Sequence, residues 1–312
     1  MVPVSDFPVR VVVFHRSKKS QSDINDYELI DWLKAGNCSL KITELCKLLN
    51  VNKSSYYRNK KKVYWDYKAQ KQKEEDKILE MIKTIRSEHN FWGYRRIHAY
   101  LKHEYGVVIG LNKVYKIMKK NGILQNIKIH KAKRTPQKEK PRANKKNDWW
   151  GTDMTKFYVN TIGWLYLVVV IDWYTKKLLG YKLSQRCKKE EWIEALNMAV
   201  TNECPLGSRE YNINLMSDNG SQPTSIKYEE TVKLLGINHI TTSYNNPKGN
   251  ADTERFMRTF KEETVWINEF NSFEEAQEAV DAFFVFYNNK YPHSTLNYLS
   301  PVQFENLQKI AA

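Results

Sequence analysis

The chain has 312 residues, 41% of them apolar, and carries 50 Lys and Arg against 35 Asp and Glu, a formal charge of +15. That is enough apolar sequence to bury more than one core, which excludes a disordered polymer. No run nears the roughly eighteen apolar residues of a membrane span, and the apolar run at 9–14 is short and precedes its basic cluster, so neither a membrane helix nor a signal peptide is expected.

Cys38, Cys46, Cys187 and Cys204 are scattered, without C-x-x-C or zinc-finger spacing, which points to a reducing, cytoplasmic compartment and no structural zinc. The charge is unevenly spread. Residues 1–150 hold 34 Lys and Arg against 15 Asp and Glu, whereas residues 151–312 hold 16 against 20. A front half this basic is expected to bind a polyanion, nucleic acid foremost.

Residues 1–40 show no clear period and receive no assignment. Residues 41–66 read as a helix-turn-helix: Ile42, Leu45, Leu48, Leu49 and Val51 recur at helical spacing, and Asn52 is a candidate cap for a short polar helix at 53–58. That second helix would offer Lys53, Ser54, Ser55, Tyr57 and Arg58 to a duplex. Residues 74–127 form a second helical DNA-binding unit, with Ile78, Met81, Ile82 and Ile85 on one helix, Ile97 and Leu101 on the next, and Val114, Ile117 and Met118 on the third. Phe91, Trp92 and Tyr94 read as its core. Residues 128–146 carry nine Lys/Arg against Glu139 and are broken by Pro136 and Pro141, a basic linker suited to tracking a phosphate backbone.

From residue 147 the texture becomes α/β. Strands are expected at 155–159, 164–171, 176–184, 213–216 and 237–242, the second a β-branched run of the kind buried on both faces. Helices are expected at 190–200, 224–235, 251–266 and 272–287. The order predicts a five-stranded mixed sheet with helices on both faces over 147–289, followed by a tail at 290–312.

This layout would bring Asp153 on the first strand, Asp218 past the fourth, and Glu254 in the first turn of a helix to one sheet edge. Oxygen donors there suit Mg²⁺, and two such ions serve phosphodiester chemistry. With 35 acidic residues in the chain, composition does not choose these three. Resemblance does. The segments Gly151-Thr-Asp-Met-Thr155, Gly163-Trp-Leu-Tyr-Leu167, Val170-Ile-Asp-Trp-Tyr-Thr-Lys-Lys177, Ser217-Asp-Asn-Gly-Ser-Gln222, Asn245-Asn-Pro-Lys-Gly-Asn-Ala-Asp-Thr-Glu-Arg255 and Lys261-Glu-Glu263 resemble the integrase-type catalytic core of the DDE transposases of bacterial insertion sequences. Between Asp218 and Glu254 lie 35 residues, the separation associated with that superfamily. The tail through His293 to Pro301 resembles the end of such cores, and the helices before Lys120 resemble their DNA-binding region.

The resemblance implies an RNase H-like core preceded by an all-α tandem helix-turn-helix region, with Asp153, Asp218 and Glu254 as the metal-binding triad for two Mg²⁺ ions, for which Mn²⁺ can substitute. It further implies a cytoplasmic bacterial transposase acting on double-stranded DNA, both element ends and target, as a homo-oligomer. In some relatives a small helix-turn-helix protein from an upstream frame takes part. Pro223 stands where many relatives carry Tyr. Asn219 and Gly220 are expected to shape the turn presenting Asp218, and Asn250 to cap the Glu254 helix. Arg258 and Lys261 would share a helix face with Glu254, Lys261 gripping the phosphate beside the reacting one. Asp172 reads as a structural turn acid and His293 as a packed or surface histidine. The competing functions are an inactive helix-turn-helix repressor derived from a transposase, and an RNase H-type nuclease that cleaves without rejoining.

Overall fold

A computed structural model describes residues 25–36, 38–125, 141–242 and 249–311. The apolar run at 9–14, the basic stretch 128–140 and part of the motif before Glu254, residues 245–248, lie outside the described residues. The chain divides into two compact units, Met1–Glu80 and Met81–Ala312.

In the first unit, helix α1 (Asp26–Ala35) falls in the stretch left unassigned from sequence. It starts on a capping box: Asn25 Oδ1 accepts from the Tyr27 amide at 3.1 Å, and the Glu28 carboxylate accepts from the Asn25 amide at 3.2 Å. Leu29, Ile30 and Leu33 pack from it onto Leu45 and Cys46 of α2 (Ile42–Leu48), Leu49, and Tyr56 near the start of α3 (Lys53–Glu88). Asn52 caps α3 by accepting the Ser54 amide at 2.8 Å. The Tyr56 hydroxyl donates to Asp31, which also pairs with Lys60 at 2.9 Å. The break expected after Arg58 does not occur. No Gly or Pro stands between Lys53 and Glu88, and the Lys-, Gln- and Glu-rich stretch has high helix propensity, so one helix runs through.

The second unit begins with the last turns of α3, where Ile82 and Ile85 are fully buried, and continues through α4 (Tyr94–His103) and α5 (Leu111–Lys120). Trp92, between α3 and α4, has no exposed surface, as expected of a core residue. The sheet comprises β1 (Trp149–Val159), β2 (Gly163–Asp172), β3 (Leu178–Ser184), β4 (Asn214–Ser217) and β5 (Asn238–Thr241), in the order β3-β2-β1-β4-β5. β1 is antiparallel to β2 and parallel to β4, and β5 continues parallel to β4. Trp150, Val168, Val170 and Leu215 bury one face against α6 (Lys189–Glu203) and α7 (Ile226–Leu234). On the other face Phe157 meets Phe260 of α8 (Ala251–Phe260), and Phe256 meets Tyr287 of α9 (Phe273–Asn289) with ring centroids 4.9 Å apart. Side chains alternate along a strand, so the odd residues of β1, which include Phe157, face α8.

A last helix, α10 (Pro301–Ala311), completes an ionic network around two buried carboxylates. Lys146 pairs with Glu203 at 2.5 Å and Glu305 at 2.6 Å, and Lys177 pairs with the same two carboxylates. The two lysines hold the Glu305 carboxyl at about 2, against its burial. A depressed carboxylate adds stability above its unfolded pKa and loses it as pH falls through the folded one. Glu305→Gln is therefore expected to cost about 3 kcal/mol at pH 7, with the deficit shrinking between pH 4.5 and pH 2. Urea unfolding of both proteins at several pH values checks this; a deficit independent of pH would contradict it.

Candidate active site

Asp153 and Asp218 are brought together by strand register. β1 and β4 pair in parallel, Trp149 with Asn214 and Gly151 with Met216. The same register, two residues further, sets Asp153 level with Asp218, just beyond the end of β4 and on the face covered by α8. Asp153 accepts the Met154 amide at 2.8 Å, and Asp218 accepts the Gly220 amide at 3.2 Å. A Cβ on Gly220 would lie 3.1 Å from an Asp218 oxygen, so a side chain there would crowd the carboxylate. Asn219 is exposed.

Glu254 depends on how closely α8 approaches β1. Thr253, immediately before it, is fully buried and accepts a hydrogen bond from the Trp173 indole at 3.1 Å. Both groups occupy the space above Gly151, where a Cβ would stand 2.0 Å from Thr253 Oγ1 and 2.3 Å from Trp173 Nε1. Only a glycine admits the helix here. Asn250 does not cap α8 with its side chain, contrary to the sequence expectation. Its φ/ψ of −109°/21° is not the extended geometry of a side-chain cap, and its amide instead donates to the Thr152 carbonyl at 3.1 Å, while its own carbonyl accepts the Glu254 amide. The buried residue thus braces the helix start against β1 beside Asp153.

A cleft of about 330 Å³ lies between these elements, lined by Asp153, Glu254, Met257, Arg258, Lys261 and Trp266 among others. The Asp153 carboxyl is raised to about 6, chiefly by burial and further by the negative charges of Asp218 and Glu254, with Lys261 opposing them. The three acids therefore share one electrostatic neighbourhood. Among the described residues, no three His, Cys, Asp or Glu side chains form a ready-made metal cage. Mg²⁺ does not need one: it takes one or two carboxylates and keeps waters or substrate oxygens for the rest, so the donor set fits a hard dication. Arg258 is exposed and pairs with Glu262 at 2.8 Å.

Two contributions to the site were not read from the sequence. α8 passes into a π-helical turn, Lys261–Val265, in which the buried Glu263 accepts the Trp92 indole at 2.8 Å and pairs with His89 at 2.8 Å. His89 stacks between Trp92, at 3.9 Å, and Phe286 of α9. Glu263 thereby fixes the turn that carries Lys261. Beyond Asp218, a second cleft is lined by Arg186, Lys188 and Lys189, by Glu190 and Glu191, and by Ser221 and Gln222, and Gln222 donates to the Cys187 carbonyl at 3.3 Å. The basic Arg186-Cys-Lys-Lys189 run between β3 and α6 was the available signal. Asp172 is buried and takes up the Asn147 amide and the Thr175 amide and hydroxyl, a turn-holding role.

The strand order, with helices on both faces and acids gathered where β1 and β4 run side by side, is that of an RNase H-like core behind an all-α region. Integrase core domain families match residues 143–247 and 235–301, and an HTH-like domain family matches residues 73–131. The chain belongs to the family of insertion-sequence transposases built on an integrase core domain. It is 31% identical over 251 residues to the transposase for insertion sequence element IS904 of Lactococcus lactis, covering 76% of this chain and 96% of that protein. It is 26% identical over 280 residues to the putative transposase of IS150 of Escherichia coli K12, covering 85% and 93%. Among solved structures it is similar to a chain of the simian T-cell lymphotropic virus intasome, at 18% identity and a TM-score of 0.45, over 72% of this chain and 73% of that one. Among the described residues, no helix is long and apolar enough to cross a membrane.

Proposed function

We propose that this transposase cleaves DNA at the ends of its insertion sequence and joins the freed 3′-OH ends to target DNA in the bacterial cytoplasm, with Asp153, Asp218 and Glu254 as the catalytic, metal-holding acids. The observation that supports the reading is that Asp153, Glu254 and Lys261 line one cleft while Asp218, two residues past the paired part of β4, acts on Asp153 with Glu254. Bound by these carboxylates, two Mg²⁺ ions, or Mn²⁺, supply activation of the attacking oxygen and stabilisation of the leaving one. The chain's own residues do the rest. Gly220 and Asn219 present Asp218, Asn250 holds the helix start, and Lys261 with Arg258 places the phosphates flanking the reacting bond. No side-chain nucleophile is required. In the first unit Lys53, Ser54, Tyr57 and Arg58 are exposed and Ser55 is half-buried along the start of α3, a surface suited to a duplex. Cutting two ends and joining them calls for more than one copy on DNA, with an upstream-frame helix-turn-helix protein as a further partner.

The test is incubation of the full chain with linear duplexes carrying the element's terminal repeats. Cleavage to 3′-OH ends and joined products are expected with Mg²⁺ or Mn²⁺ and not with EDTA. Specific binding without divalent-dependent cleavage would identify an inert repressor; cleavage without joining would identify a nuclease.

Lys261 separates positioning from binding. Lys261→Ala is expected to slow single-turnover joining by roughly a hundredfold, since a misplacement of about an ångström suffices for that. Affinity should change little, because one phosphate contact among many is lost. Lys227→Ala, at an exposed ion pair on α7, serves as the charge control. An unchanged joining rate would return Lys261 to a solvated helix face.

A further inference from the structure

The helix α8 has two working faces. Glu254, Met257, Arg258 and Lys261 line the cleft already described, whereas Asp252, Arg255, Phe256 and Thr259 line a separate cavity of about 230 Å³ on its other side. Into that second cavity come Arg96 from α4, Lys176 from the β2–β3 turn, and His293 from the segment after α9. Three permanent cations thus face one acid, Asp252, which pairs with Lys176 at 3.3 Å. Arg96 lies over the Tyr291 ring, 4.9 Å from its centroid, which fixes its guanidinium at the wall.

Two features are unexplained by folding alone. His293 Nε2 is sealed from solvent and has no hydrogen-bond partner, a state that costs stability unless something fills it. Lys176 sits in the left-handed region at φ 60°, where Asn or Gly is at home and a long side chain is strained. Its ammonium is tied to the Trp173 carbonyl at 2.6 Å, at the cavity wall. The imidazole is kept neutral there, lowered to about 3 by burial first and then by Arg96, Lys176 and Arg255.

We propose that this cavity is a phosphoryl-binding site, distinct from the acid cleft, in which Arg96, Lys176 and Arg255 neutralise the anion against a wall that includes His293. Guanidinium forks suit phosphate oxygens, and three lining cations outnumber the one lining acid, Asp252. The phosphoryl group belongs either to a free phosphate or pyrophosphate, or to a phosphodiester of bound DNA.

The probes are inorganic pyrophosphate and a short duplex, titrated into the full chain by calorimetry with thermal unfolding alongside. Saturable pyrophosphate binding that raises the melting temperature is expected. Lys176→Asn and Arg255→Gln should each weaken it by roughly tenfold or more, as for loss of a charged hydrogen bond, while Lys227→Gln leaves it unchanged. Lys176→Asn relieves the left-handed backbone, so its fold is retained and its result stands if other variants unfold. Displacement of pyrophosphate by the duplex assigns the site to a DNA phosphate; no displacement assigns it to the free anion. Absence of saturable binding, or wild-type affinity in both variants, overturns the proposal.

Discussion

Asp153→Asn, Asp218→Asn and Glu254→Gln are each expected to reduce cleavage and strand joining by roughly a thousandfold or more, because on the proposed mechanism each removes a charge that would hold a metal ion at the reacting phosphate. End binding should survive, since the exposed basic surface of the first unit is untouched. A further readout needs no activity. The Asp153 carboxyl is raised to about 6 by burial and by its two acidic neighbours, so without divalent ions the folded protein favours the protonated form and loses stability as pH rises from about 4 to 6. Asp153→Asn keeps the shape and removes the charge. In EDTA at pH 7 it should melt above the wild type, and Mg²⁺ should stabilise the wild type more than the variant. Near-normal cleavage by any of the three variants would dismiss that residue from the site.

Gly151→Ala is expected to be a severely damaging single-methyl change in the core. The new Cβ would stand 2.0 Å from Thr253 Oγ1 and 2.9 Å from Trp173 Cε2, so either α8 lifts from β1 or the indole is displaced. Overpacking of this kind costs about 1–3 kcal/mol, and a lifted helix carries Glu254 away from Asp153, so activity should fall further than stability alone explains. Adding Thr253→Ala should restore only part of the loss, because the Trp173 contact remains. Gly163→Ala is the contrast: its φ of 85° penalises a side chain, but nothing lies within 4 Å, so stability falls while cleavage persists. Melting temperature and Mg²⁺-dependent cleavage measured together decide the matter; wild-type values of both for Gly151→Ala would contradict the clamp.

The sheet was legible because β2 is a continuous apolar run rich in β-branched residues and the strands beside it are bounded by turn residues. The proposed triad came only from resemblance, because no local pattern encodes the β1–β4 register across the sixty-odd residues that separate Asp153 from Asp218. Helix α1 went unread although its capping box and Leu29, Ile30 and Leu33 were present, because ten residues give a short window for periodicity. The long α3 was divided where its apolar stripe lapses; propensity, not amphipathicity, carries the helix through that exposed stretch. Asn250 had the composition of a cap, yet a stronger use for its amide lay on a strand some hundred residues earlier. Glu263 and His89 stand far apart in the chain, and only the folded core shows that they meet.

The Glu263 contacts with His89 and Trp92 bear on how this protein can diversify. They bolt the helices α4 and α5 to the same body as the acids, and the Lys146 network anchors the chain again where it enters β1. The spacing between α5 and Asp153 is therefore set by side-chain packing within this unit, and substitutions at Glu263, His89 or Trp92 are the ones that would alter it.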